Sequence, residues 1–337
     1  MKPPLTHCLL GGALGDSLGL PAEGVPAKRI ARLWPGPLRH RFLFGCGMVS
    51  DDTEHAVMTA LSLAKHGADP ERFAHDLARR LRWWFAGIPA GIGLGTARSI
   101  LKLWCGISPS RSGVGSAGNG PMMRAAVIGV HFADDETLRR AFIAASTRIT
   151  HSDPRAAEGA GMIAEAAAMA CKGMDTAALL GSLEPLVESA EMKIRFPLLR
   201  DALAAQSPVG TFADQFGRKP GFVSGFAPDS AAVALFAWLR HRGDFRATLE
   251  SVVKAGGDTD TVAFITGSLA GIDVGRDGLP ADWLSGLRDW PIHPSSIRRL
   301  GTENPPCYPL WPLSIVRNVL FLLIVLIHGF RRLLPPY

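Results

Sequence analysis

Ala255-Gly256-Gly257-Asp258-Thr259-Asp260-Thr261-Val262-Ala263-Phe264-Ile265-Thr266-Gly267-Ser268-Leu269-Ala270-Gly271 places acidic and hydroxyl side chains between a glycine pair and an apolar run. Gly256 and Gly257 tolerate positive φ and allow a sharp turn. Asp260-Thr261 then supplies capping side chains ahead of Val262, Ile265 and Leu269, whose spacing is helical. One cap needs one acceptor. Asp258, Asp260 and Thr261 crowd more hard oxygens into four residues than capping uses, a density suited to a hard cation. A second cluster, Ser50-Asp51-Asp52-Thr53, stands far earlier in the chain, also at the head of a helical pattern.

Working outward, the pattern is helical almost throughout. Ala56, Val57, Ala60, Leu61 and Ala64 follow three-and-four spacing up to Gly67. Asp69-Pro70 is a cap followed by proline at the first helical position, and Phe73, Leu77, Leu81, Trp84 and Phe85 share one face. Further helices are expected after Asp135, through the alanine-rich stretch to Cys171, from Thr176 to Ser189, near Pro197 to Ala205, from Asp229 to His241 and from Asp244 to Ala255. Leu5–Leu14 reads as a short helix, and the glycines and proline of Gly15–Gly24 read as a loop. Pro26 to Gly47 has no clear period. Strand alternation is nearly absent, so the expected fold class is all-α: one multi-helix domain over residues 1–300 and an apolar tail over 301–337.

Composition narrows the function. The chain has 337 residues, 47% of them hydrophobic, enough for a large core. The net charge is +6, but the basic residues are scattered, which argues against a nucleic-acid footprint. Five cysteines are widely spaced and never form a C-x-x-C pair, as expected of reduced thiols in a cytoplasmic protein. Asp16 interrupts the apolar amino terminus, which is therefore read as part of the fold rather than a signal peptide.

If both acidic clusters project from helix starts into one cleft, four carboxylates repel one another, and cations relieve that repulsion. An all-oxygen donor set suits Mg²⁺ or Mn²⁺ better than zinc, and two clusters suit a pair of metals. Gly91-Ile92-Gly93-Leu94-Gly95-Thr96 is a glycine-rich turn opening a helix, where free amides can cradle phosphate.

Five ordered motifs carry a resemblance. They are Gly15-Asp16-Ser17-Leu18-Gly19 with Glu23, Ser50-Asp51-Asp52-Thr53, Gly118-Asn119-Gly120 with Met123-Arg124, Thr150-His151-Ser152, and Gly257-Asp258-Thr259-Asp260-Thr261. In these, residues 5–275 resemble the ADP-ribosylglycohydrolase family, which includes arginine-linked and serine-linked ADP-ribose hydrolases and the dinitrogenase-reductase-activating glycohydrolase. The resemblance implies an all-α fold with a two-metal centre, normally magnesium and in some members manganese. It implies Ser50, Asp51, Asp52, Asp258, Asp260 and Thr261 as metal ligands. It makes Glu23 a flexible-loop glutamate near the metals, a candidate base beside Asp52 and Asp258. Gly93, Gly95 and Thr96 would lie near the pyrophosphate, Ser116, Gly118, Asn119 and Gly120 would line the ADP-ribose pocket, and His151 would be a pocket histidine. The serine at 116 is closer to the serine-linkage enzyme than to the dinitrogenase-reductase one, and no adenine-stacking aromatic is assignable. The substrate implied is an ADP-ribosylated protein or a small ADP-ribose conjugate. The rival readings are a non-catalytic ADP-ribose binder and a two-metal hydrolase acting on the pyrophosphate.

The tail lies beyond the motifs. Val319–Ile327 is nine uninterrupted apolar residues, about 14 Å of helix, short of the ~20 residues that span a bilayer. Its apolar residues surround the helix axis, so a helix packed on the domain or at a subunit contact is expected in preference to membrane attachment.

Overall fold

The first helix runs from Pro3 to Gly19 in a computed structural model that describes residues 3–217, 219–301, 305–332 and 334. It passes straight through Gly11, Gly12 and Gly15, so the loop expected from Gly15 begins only after Gly19. The glycines serve packing instead of turning. A Cβ on Gly11 would lie 2.2 Å from the Gly267 carbonyl oxygen, and one on Gly15 would lie 2.0 Å from that of Ala263. The partner is the helix Thr259–Val274, buried on all sides, whose Gly267 and Gly271 make the reciprocal approach to Gly11 and His7. Two helices at backbone contact form the axis of the molecule.

Other helices wrap this pair. The Asp51–His66 helix packs on the first helix and on Met122–His131. The alanine-rich helix Pro154–Cys171 fits between Met122–His131 and Ala227–Arg240 because its small side chains permit close approach; a Cβ on Gly129 would meet the Ala164 carbonyl at 2.2 Å. The expected caps are present: Asp69 accepts from the amides of Glu71 and Arg72, Asp135 from Leu138 and Asp244 from Ala247. The helix expected over Thr176–Ser189 stops at Leu183 and continues as one 3₁₀ turn, and the next begins earlier than read, at Ala190, carrying Pro197 inside it. The aperiodic stretch after Pro26 holds a short helix, Ala27–Leu33.

Among the described residues the one sheet is a two-residue pair, Val25–Pro26 antiparallel to Gly256–Gly257. Gly256 and Gly257 take φ of 75° and 88°, and a Cβ on Gly257 would stand 2.0 Å from the Val223 carbonyl oxygen, so glycine is required there. This pair ties the loop carrying Glu23 to the loop carrying Asp258.

The tail forms one helix, Leu313–Arg331. Residues 302–304, at the expected domain boundary, and 333 and 335–337 of the tail lie outside the described residues. Its apolar residues do not bury it on every side. The face turned to the domain carries Ser314, Arg317 and Asn318 with Phe321 and Ile324, while most of its leucines face solvent.

Candidate active site

The first acidic cluster is organised by a residue to which the sequence reading gave no role. Asp16, fully buried in the first helix, accepts from the Ser50 amide at 2.9 Å, from the Thr53 amide at 3.3 Å and from the Thr53 hydroxyl at 2.5 Å. It thereby holds the turn that starts the Asp51–His66 helix. Ser50 caps that helix by accepting from the Asp52 amide, and its Oγ also donates to Asp52 Oδ2 at 3.2 Å. Asp52 is buried and Asp51 half-buried. The sequence signals for Asp16 were its place in the Gly15–Gly19 motif and its charge in an apolar stretch, where an unsatisfied carboxylate is costly.

The second cluster heads the central helix. That helix starts at Thr259 with Asp258 at its N-cap position and no side-chain cap bond, so Asp260 and Thr261 sit in the first turn rather than capping it as expected. Their oxygens are therefore free for other work. Thr261 is within hydrogen-bonding reach of both Asp52 and Asp258, which joins the two clusters. Asp258 Oδ2 accepts from Asn119 Nδ2 at 2.7 Å, and Asn119 Nδ2 also reaches Ser230 Oγ at 3.0 Å. Gly225 leaves the space this needs, since a Cβ there would stand 3.0 Å from Asp258 Oδ2.

Electrostatics set this region apart. Burial raises the Asp16 carboxyl to about 7. Burial again comes first in raising Asp51, Asp52 and Asp260 well above the ordinary range; repulsion follows, chiefly from Glu54 for Asp51, Asp51 for Asp52 and Glu23 for Asp260. Asp258 is raised by burial against the pull of Asn119 and Thr261. Glu23 is solvent-exposed at the rim, yet enough protein crowds it that desolvation, then Asp258, raises its carboxyl, while Arg332 acts the other way. The oxygens Asp52 Oδ1 and Asp260 Oδ1 are buried with no hydrogen-bond partner. Among the described residues no three His, Cys, Asp or Glu side chains are placed together so as to hold a metal ion. The donor set is nevertheless all oxygen and rich in carboxyls, which fits Mg²⁺ or Mn²⁺.

The other expected pocket residues gather around an imidazole. His151 ends the Glu136–Thr150 helix and is buried, with Nδ1 2.9 Å from Thr150 Oγ1. Its ring lies against three glycines: Cβ atoms on Gly95 and Gly118 would each stand 3.2 Å from Nε2, and one on Gly120 would stand 3.0 Å from Cε1. Ser116 Oγ and Thr96 Oγ1 border the same glycines. Desolvation, then Arg124, pushes His151 down to about 4, so the ring is neutral at physiological pH. It supports the two glycine loops from behind. Arg124, fully buried, bonds to Thr150 Oγ1, Ser146 and His55 Nδ1. Gly93 heads the Leu94–Trp104 helix, which no side chain caps. The Gly118-Asn119-Gly120 loop thus links the two regions, with its glycines on His151 and its asparagine on Asp258.

Residues 5–306 match the family described as ADP-ribosylglycohydrolase, and the chain belongs to that family of hydrolases. It is 30% identical over 298 residues to an uncharacterized protein of Archaeoglobus fulgidus, covering 86% of this chain and 93% of that one. It is 27% identical over 310 residues to the ADP-ribosyl-[dinitrogen reductase] glycohydrolase of Rhodospirillum rubrum, covering 85% and 92%. Among solved structures it resembles an ADP-ribosylglycohydrolase-related protein complex, with a TM-score of 0.64, 27% identity, and coverage of 88% of this chain and 95% of that one.

Proposed function

We propose that this enzyme releases ADP-ribose from ADP-ribosylated protein side chains by divalent-cation-dependent hydrolysis of the glycosidic bond. The observation that carries the reading is the cluster of Asp16, Asp51, Asp52, Asp258 and Asp260, which among the described residues pairs with no lysine or arginine and leaves Asp52 Oδ1 and Asp260 Oδ1 without partners. Ser50, Asp51, Asp52, Asp258, Asp260 and Thr261 would hold two cations, Mg²⁺ with Mn²⁺ as the alternative. When bound, the cations supply charge neutralisation and polarisation of oxygen ligands. The protein acceptor is taken from the Rhodospirillum relative, which is named for dinitrogen reductase.

The chain's own residues divide the remaining work. Water adds to the anomeric carbon of the ribose as the bond to the acceptor breaks, through an oxocarbenium-like transition state. Glu23, on a rim loop and with a raised affinity for protons, takes the proton from that water. Asn119 fixes Asp258 by its 2.7 Å bond. The uncapped helix start at Gly93–Thr96, backed by His151, offers amides to the pyrophosphate. The leaving group collects its proton from solvent or a neighbouring acid.

The test is product analysis on arginine-linked, serine-linked and nucleic-acid-linked ADP-ribose with Mg²⁺ and with Mn²⁺. Free ADP-ribose is the expected product from a protein substrate. AMP with ribose phosphate, or no turnover of any substrate, would refute the assignment.

A further inference from the structure

The tail helix turns a broad apolar face away from the domain. Leu313, Val316, Leu320, Leu323, Ile327 and Phe330 form a stripe at three-and-four spacing, each between 48% and 69% exposed. Val319, Leu322 and Leu326 widen it on one flank. A coiled-coil seam takes two positions in seven; this face takes more, as a helix lying in an interface does. No acidic residue follows Glu303 in the sequence.

Each end of the face carries side chains suited to a lipid interface. At the amino-terminal end Trp311 meets Trp83, and Trp83 meets Trp104, all three at least 40% exposed. Amphipathic tryptophans favour the headgroup level. At the other end a cavity of about 630 Å³ is lined by Arg39, Arg41, Arg331 and Arg332, beside Trp34 and the fully exposed Phe44. Its one acidic lining residue, Asp282, is paired with Arg246.

The domain-facing side fixes the orientation. Arg317 is buried between Asp289 and Glu54, and Asn318 donates to the Gly87 carbonyl at 2.8 Å. His328 contacts the Pro21 carbonyl, and Arg332 donates to the Glu23 carbonyl at 2.9 Å. A helix standing upright in a bilayer would tear these apart, whereas one lying flat keeps them and presents only its bare side. A second copy packed parallel about a two-fold axis would bring the same arginine-rich patch to meet its own arginines, and an antiparallel copy would set that patch against the tryptophan end instead of an acidic surface.

We propose that this face docks the enzyme on an anionic lipid bilayer, with the tail helix lying in the plane of the interface, its outward leucines among the acyl chains and the arginine-lined cavity on phosphate headgroups. The Glu23 loop, held by His328 and Arg332, then lies at the lipid-facing edge of the enzyme.

Co-sedimentation of the full chain with vesicles tests this independently of any hydrolysis. Binding is expected to phosphatidylcholine–phosphatidylserine vesicles, weaker to phosphatidylcholine alone, and reduced by salt. Leu323→Glu with Leu326→Glu, and separately Arg39→Glu with Arg331→Glu, should each weaken binding at least about tenfold while leaving the melting temperature in solution unchanged. Wild-type protein that ignores the acidic vesicles would overturn the proposal. So would a solution dimer that the leucine pair dissociates without changing vesicle binding, or vesicle-bound protein that resists both salt and alkaline extraction, the behaviour of a spanning helix.

Discussion

Asp52 and Glu54 stand two residues apart in the first turn of one helix, both buried, and the protein treats their charges in opposite ways. Glu54 accepts from the Trp84 indole at 2.6 Å and from the Tyr308 hydroxyl, and lies 3.3 Å from Arg317, which also pairs with Asp289. Asp52 receives neutral donors on one oxygen, meets further carboxylates, and leaves the other oxygen orphaned. Burial raises both carboxyls, but only Glu54 has a cation pulling it back. Among the described residues an arginine is brought to one end of this turn and none to the other, which is the asymmetry the proposed cation site accounts for. On the proposed function the paired side is structural and the unpaired side holds the cations.

The largest effect should come from changing the unpaired side. Asp52→Asn or Asp258→Asn is expected to lower hydrolysis about 10³-fold or more while the metal-free protein melts at the same or a higher temperature, because a repelled charge has been removed. Destabilisation of the metal-free protein would place these aspartates with Glu54. Next comes Arg317→Leu, which strands Glu54 and Asp289 without a cation and should destabilise the fold by about 3–5 kcal/mol in denaturant titration. Because Arg317 also bonds the Val49 carbonyl at 2.6 Å, just before Ser50, this variant should lose activity with stability. An unchanged unfolding midpoint would break the comparison from the other side.

Glu23 belongs to neither group: it faces solvent and is held by backbone contacts rather than a partner for its carboxylate. Glu23→Gln should lower kcat by roughly 10²-fold, the scale of a lost general base, with ADP-ribose affinity nearly intact. An unaffected kcat would move the base to an aspartate of the cluster.

The smallest effect is a pH dependence of stability in the metal-free protein. A carboxyl whose folded pKa is raised favours the folded state at low pH and loses that contribution as pH rises through the folded value, about 7 for Asp16. His55 and His151 are depressed, first by burial, so they act in the opposite sense, but only below their unfolded value of 6.5. Above pH 6.5 the carboxylates act alone. The melting temperature without metal should therefore fall by a few degrees or so between pH 6.5 and 8, and divalent cation should remove that slope.

The parts of this architecture that rest on neighbouring residues were legible in the sequence. Asp69-Pro70, Asp135 and Asp244 name helix starts because a cap acts within one turn, and the two acidic clusters stand out because their density exceeds what capping requires. Contacts between distant segments were not legible. Gly15 reads as a turn residue until Ala263 is seen against it. Asn119 was named for the pocket, but its bond to Asp258 joins positions far apart in the chain. Beyond their places in the motifs, Asp16 and Arg124 carried only the signal of charge in apolar surroundings, which marks a residue as satisfied without saying by what. The tail showed its hydrophobicity but not its sidedness, because Arg317 and Asn318 read as interruptions of an apolar run when they are the residues that dock it.

The central claim, that the unpaired carboxylates form a hard-cation site, is tested most directly by calorimetric titration of Mg²⁺ or Mn²⁺ into chelator-stripped protein near neutral pH, in two buffers of different ionisation enthalpy. Carboxyls held partly protonated by burial and repulsion must give up protons when a cation binds. The account predicts saturable binding whose heat differs between the buffers, showing proton release, and which Asp260→Asn greatly weakens. Absence of binding, or binding that releases no protons and is indifferent to Asp260→Asn, would contradict it.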